Sequence, residues 1–209
     1  MDLQFHGANC LTIASKRVRL SIDDNLAEMG AKSATKPNDV VMFTSYNHPV
    51  AVPDARLVID CPGEYEVGDI LIQGFAVRAH TDEEGKKSTT LYKVSVADMD
   101  VVITGHMYPD LSDKELEEIG LVDVLCIPVG GNGYTLDGIG ALKIIKKIEP
   151  KIVVPTHYDD SKLKFPVPQR KLLDALSDIA MEPKEKVNKL HLKPADLTDT
   201  TQLIVLENS

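Results

Sequence analysis

The chain has 209 residues, 43% of them hydrophobic and 26% charged, a balance that excludes a disordered tail, a collagen-like repeat and a disulfide-stapled miniprotein. Its 23 Lys plus Arg against 32 Asp plus Glu leave a formal net charge of -9, so little of the counterion-release affinity that drives nucleic-acid binding is available to it. Three cysteines form no CxxC pair, no basic segment precedes an apolar core at the N-terminus, and no apolar run has membrane-spanning length. These features predict a cytoplasmic protein with neither a nucleic-acid nor a membrane partner.

In chain order, apolar runs bounded by Gly, Pro and Asp turns predict strands over 11–14, 18–22, 40–44, 57–59, 70–79 and 90–96. Val67-Gly68-Asp69-Ile70 reads as a hairpin turn, with glycine supplying the positive φ. The rhythm then changes. A strand over 100–104 precedes a short amphipathic helix over 111–119, with Ser112 as its cap, Glu115 completing a capping box and Gly120 ending it. Next come a strand over 122–129, a helix over 136–148 capped by Thr135 and stopped by Pro150, a strand over 152–155, a helix over 171–180 and a strand over 203–206. Strands early and strand–helix alternation late predict an α+β fold of layered sheets with helices outside, as a single domain over 1–209.

Three of the six histidines share one context. His80, His106 and His157 each close an apolar run, and His48 follows the 40–44 run after Ser45-Tyr46-Asn47. Loops at the carboxyl ends of strands are where a sheet scaffold holds reactive groups. Imidazole is the commonest side-chain metal ligand, and a zinc site collects three or four donors from separate segments. A single histidine in such a place is ordinarily a loop residue bonded to backbone; three in the same place suggest one site.

Other residues read more plainly. Glu64 and Glu66 belong to a turn before a strand, and Asp23-Asp24 are exposed turn carboxylates. Gly130-Gly131-Asn132-Gly133 allows close backbone approach ahead of a helix; it lacks the Lys and Ser/Thr of a P-loop. Tyr158 is a candidate pocket residue. Phe165-Pro166-Val167-Pro168 is a stiff segment that either folds over the pocket or covers the core. Cys126 is expected to be buried and inert, and Cys61 to be the exposed thiol.

Taken together, Cys61-Pro62-Gly63-Glu64-Tyr65-Glu66-Val67-Gly68, Ile127-Pro128-Val129-Gly130-Gly131 with Tyr134-Thr135-Leu136-Asp137, and Pro150 through Tyr158 resemble the metallo-β-lactamase superfamily. The resemblance is to its compact metal-dependent hydrolase branch, which includes ascorbate-phosphate lactonase, and runs from about Phe5 to Tyr158. It implies a four-layer αββα sandwich. It also implies a T-H-x-H-x-D-H signature that binds two metals, usually zinc. Here Thr44 matches the leading Thr, and the four ligand positions fall on Ser45, Asn47, Pro49 and Val50. His48 lies in that segment out of register. His80 and His157 match later family ligands, His106 stands where the bridging Asp is expected, and the N-terminal glycine-histidine reads Gly7-Ala8.

Two dications held close together need anionic ligands to offset their repulsion, and those carboxylates are missing. The first expectation is therefore a hydrolase-fold protein whose dinuclear site is largely lost, acting without catalysis or in an altered role on a small-molecule ligand. The alternative is a mononuclear hydrolase of an ester, lactone, amide or phosphodiester. It would hold one Zn or another divalent metal on His80, His106 and His157, with His48 as a fourth ligand. Homo-oligomerisation stays open.

Overall fold

The computed structural model describes residues 1–45 and 50–208. Two sheets face each other across one apolar core. The first is built from β1 (Asp2–Gly7), β2 (Cys10–Ala14), β3 (Arg19–Ile22), β4 (Val40–Met42) and β5 (Leu57–Ile59). The second is built from β6 (Gly63–Val67), β7 (Ile70–Val77), β8 (Thr89–Val96), β9 (Met99–Ile103), β10 (Val124–Pro128), β11 (Ile152–Thr156), β12 (Pro183–Val187) and β14 (Gln202–Leu206). The two-residue β13 (Leu190–His191) returns to the first sheet and pairs with β1. The strand orders are β13-β1-β2-β3-β4-β5 and β12-β14-β11-β10-β9-β8-β7-β6. Helices α1 (Asp113–Ile119), α2 (Gly138–Ile148) and α3 (Leu172–Ile179) complete the α+β sandwich.

The layers follow from the sequence pattern. In β1 alternate residues are buried, as a one-sided strand requires, whereas every residue of β10 and β11 is buried, as a central parallel pair requires. α1 begins as predicted: Ser112 Oγ accepts from the Glu115 N–H, and the Glu115 carboxylate accepts from the Ser112 N–H at 2.8 Å. The predicted hairpin is present, with Val67 opposite Ile70 and Gly68 at φ +67°.

Four local expectations are corrected. Glu64 and Glu66 are not in a turn but in strand β6, exposed on the same face at a spacing of two. The cap of α2 is Asp137, whose Oδ1 accepts from the Gly140 N–H at 2.8 Å, and not Thr135. Gly131 N–H bonds the Leu136 carbonyl, and that closed loop postpones the helix until Gly138. Asp23 and Asp24 are buried rather than exposed, because hydrogen bonds from Thr44 and from Ser33 and Thr35 replace their water. Strands β1, β6, β12 and β13 have no counterpart among the predicted elements.

Candidate functional site

The sheet topology brings distant residues to one edge. β7 is antiparallel to β8 and β8 to β9, so β7 and β9 run the same way; β9, β10 and β11 are mutually parallel. The carboxyl ends of β7, β9, β10 and β11 therefore share one edge, which carries His80, His106, Gly130 and His157. Across the sandwich, the turn between β1 and β2 presents Asn9, and the ends of the parallel strands β3 and β4 present Asp23 and Thr44. Thr90 N–H and Thr89 Oγ1 both donate to the Thr44 carbonyl, binding the two sheets at this edge.

His106 and His157 meet here. Their Nε2 atoms lie 3.2 Å apart, with ring planes at 82°. Each outer nitrogen also has a partner: Asn9 Nδ2 stands 3.3 Å from His106 Nδ1, and Gln169 Oε1 stands 3.1 Å from His157 Nδ1. The Tyr134 ring meets His106 edge-on at 4.8 Å, and the Phe165 ring lies 5.2 Å from His157. Phe165, from the stiff 165–168 segment, also packs against the small apolar cluster of Ala8, Leu26 and Leu163, so it covers core while its ring reaches His157.

Local backbone geometry holds the pair. His157 has φ +55°, an uncommon conformation for a side chain-bearing residue, and its N–H donates to the Ala8 carbonyl at 2.7 Å. A Cβ on Gly130 would lie 2.0 Å from Gln169 Oε1 and 2.2 Å from the His157 carbonyl, so only glycine lets that amide reach the ring. A Cβ on Gly105, at φ +58°, would lie 2.5 Å from Thr44, so glycine there sets the approach of His106.

Both imidazoles are held neutral. Burial pulls the His157 pKa down to about 4 against its hydrogen bond to the Gln169 amide oxygen, which favours the cation. Burial, then the neighbouring His157 and His80, pull His106 down to about 3. A cavity of about 300 Å³ opens onto the pair. Asp23, Glu28, Thr44, Thr89 and Tyr134 are on its wall, and no Lys or Arg is among its described lining residues.

His80 is turned elsewhere. Its N–H donates to the His106 carbonyl at 2.7 Å, but its ring lies 6.1 Å from that of Tyr108 and lines a neighbouring cavity of about 240 Å³ with Thr135 and Asp137. Burial lowers its pKa, opposed by the Asp137 carboxylate. His48, Asn47 and Pro49 lie outside the described residues; Ser45 lines the main cavity and Val50 is half-buried. Among the described residues, no three His, Cys, Asp or Glu side chains gather as a metal-holding group. Two imidazoles with no carboxylate beside them do not fit a dinuclear centre.

Tyr158 does not reach this cavity. Its hydroxyl donates to the Leu206 carbonyl and its ring packs on Phe5 at 5.5 Å. Tyr134 takes the pocket position instead. Asn9 and Gln169 are not among the residues the sequence singles out, and Tyr134 is read there only as part of a motif, because each acts by contact across the fold. Their nearest sequence signals are adjacency to Gly7-Ala8, to Pro166-Val167-Pro168 and to the glycine-rich stretch.

Comparison with known proteins agrees with this architecture. A structure of a metallo-β-lactamase-superfamily protein from Thermotoga maritima superposes with a TM-score of 0.74, at 24% identity and covering 99% of each chain. Igni18, a metallo hydrolase from Ignicoccus hospitalis, superposes at 0.63 with 17% identity, covering 100% of this chain and 95% of that one. Among curated sequences, a UPF0173 metal-dependent hydrolase of Carboxydothermus hydrogenoformans is 46% identical over 46 residues, 22% of this chain and 20% of that protein. Another, of Salinibacter ruber, is 36% identical over 87 residues, 42% of this chain and 36% of that protein. The chain thus aligns with less than half the length of these curated relatives. The model of the beta-lactamase superfamily domain matches residues 2–157, three quarters of the chain, and with the paired sheets and the shared strand-end edge it establishes that the protein belongs to that superfamily.

Proposed function

We propose that this protein has lost the dinuclear metal centre of its superfamily and uses the cavity to bind a small neutral or cationic polar molecule. In this reading it is similar to the compact metal-dependent hydrolase branch and acts without metal-hydroxide catalysis. The observation that carries this reading is the mutual engagement of His106 and His157. Their Nε2 atoms face each other at 3.2 Å, and both outer nitrogens are already partnered. The ligand class follows from the wall: two carboxylates, several hydroxyls and no described basic side chain give a phosphorylated molecule no counter-charge. A polyol or an amine finds an acceptor in Glu28, beside the negative charge of Asp23.

The test combines metal analysis and ligand screening on protein freed of its affinity tag. After zinc incubation and gel filtration at neutral pH, zinc well below one ion per chain is expected. In thermal-shift screening, neutral or cationic polar compounds should raise Tm and their phosphorylated counterparts should not. One tightly held zinc per chain, or stabilisation by the phosphorylated series alone, would overturn the reading.

The 3.2 Å separation also supports a second reading. Two Nε2 ligands of one tetrahedral zinc, each about 2.0–2.1 Å away, stand roughly 3.3 Å apart. In that reading His106 and His157 hold one ion, with His80 or His48 supplying a further nitrogen, and the chain is a mononuclear hydrolase. The same zinc measurement separates the two.

A further inference from the structure

We propose that Asn9 and Gln169 are positioning residues that hold His106 and His157 in opposite neutral tautomers, and that this polarity is what withholds the pair from a cation. The inference rests on the metal-free reading above and gives it a cause in named atoms.

The polarity can be followed from one obligate acceptor. A backbone carbonyl has no proton to give, so at Val167 the bonded atom of Gln169 is its amide nitrogen Nε2. Rotating the amide by half a turn would set two oxygens against each other. Gln169 Oε1 therefore faces His157 Nδ1, which must carry the proton. A neutral imidazole has only one N–H, so His157 Nε2 is a bare lone pair. At 3.2 Å, a second lone pair opposite would repel it, so His106 Nε2 carries the proton and donates. His106 Nδ1 is then an acceptor, which fixes the Asn9 amide with Nδ2 toward the ring. Asn9 Oδ1 in turn accepts from Thr156 Oγ1 at 3.0 Å.

Every link has one donor and one acceptor, running from Thr156 through Asn9, His106, His157 and Gln169 to Val167. No ring nitrogen is left over. A metal needs both Nε2 lone pairs, so His106 would have to move its proton to Nδ1, and the Asn9 amide would have to turn over so that Oδ1 accepts it and Nδ2 donates to the Thr156 hydroxyl. The lock is therefore a coupled rearrangement, anchored at one end by the Pro-flanked Val167 carbonyl and resisted at the other by Asn9.

Long-range ¹H–¹⁵N correlation spectra of the chelator-treated protein read the tautomers directly. His157 is expected as the Nδ1–H form and His106 as the Nε2–H form. His157 as Nε2–H, or His106 as Nδ1–H, would overturn the proposal. Asn9→Asp replaces the donor by a carboxylate, which must accept from His106 Nδ1–H and so frees Nε2. This variant should switch the His106 tautomer and gain zinc affinity roughly 10–100-fold, read by competition with a chromophoric chelator. A folded Asn9→Asp protein that keeps the original tautomer, or that binds zinc no better than the unsubstituted chain, would also overturn it. Thr156→Val serves where the carboxylate prevents folding. Polarity set from Val167 should survive it, and a reversed His106 tautomer would count against the inference. Zinc retained by the unsubstituted protein would sink the metal-free reading and the withholding together, whereas wrong tautomers in a protein that takes up no zinc would sink this inference alone, so the two failures are distinguishable.

Discussion

Burial keeps His157 neutral, and the same burial makes the folded state sensitive to acid. With 4% of its surface exposed and its pKa near 4, His157 binds a proton far less readily when folded than an unfolded histidine near 6.5. Between those values the unfolded chain holds more protons, so stability rises with pH across the window. The contribution is fully present above about pH 6.5 and is lost as pH falls toward about 4, on the order of 3 kcal/mol for this residue alone. His106, lowered by the same cause, steepens the slope. Urea unfolding across this window should show the midpoint falling with pH, and His157→Asn should flatten the profile. An unchanged profile in that variant would place the acid sensitivity elsewhere.

At the scale of elements, short helices survive through their ends. α1 has seven residues, too few for stable helix formation by propensity alone, and Ile119 is its one buried residue. Its capping box satisfies two N-terminal groups at once, and Lys87 pairs with Glu115 at 2.8 Å to tie the helix to the loop before β8. Ser112→Ala should cost about 1 kcal/mol of global stability, read from urea denaturation, and should raise amide exchange first over 113–116. A loss spread evenly over the second sheet would mean that Ser112 acts through packing rather than as a cap. The segment carrying Val167 behaves differently. Two prolines restrict its backbone before folding, so its carbonyl meets Gln169 at little further entropic cost.

Over the whole molecule, the site depends on the two sheets being held in a fixed relation. Tyr92, wholly buried in β8, donates through its hydroxyl to the Phe43 carbonyl at 3.2 Å and lies 3.3 Å from that of Cys61. Both acceptors lie just beyond strands of the opposite sheet, and burial drives the phenol's pKa upward, keeping it a donor. Tyr92→Phe leaves those carbonyls without this hydroxyl. It should cost about 1–3 kcal/mol by urea denaturation and broaden the histidine side-chain signals of the site. A variant as stable as the parent would show that Thr89 and Thr90 alone hold the sheets together here.

The legible part of this protein is whatever short-range physics decides. Apolar alternation, the Ser112–Glu115 spacing, the Gly68 turn and the run of apolar residues in β10 and β11 are local signals, and the elements they predict are present. The sequence also placed His80, His106 and His157 at strand ends. It could not tell which way each ring turns, because a ring's direction depends on the side chains packed against it. Tertiary packing turned His80 toward Tyr108 and paired His106 with His157. It brought in Asn9 from 97 positions before His106 and Gln169 from 12 after His157, and it buried Asp23 and Asp24 that a turn would have exposed. Residue types and their spacing along the chain thus determined the layers and the edge, since those arise from periodic burial and backbone hydrogen bonding. Only the closed sandwich decided how the imidazoles engage, since hydrogen-bond polarity is settled by atoms that meet in space and not in sequence.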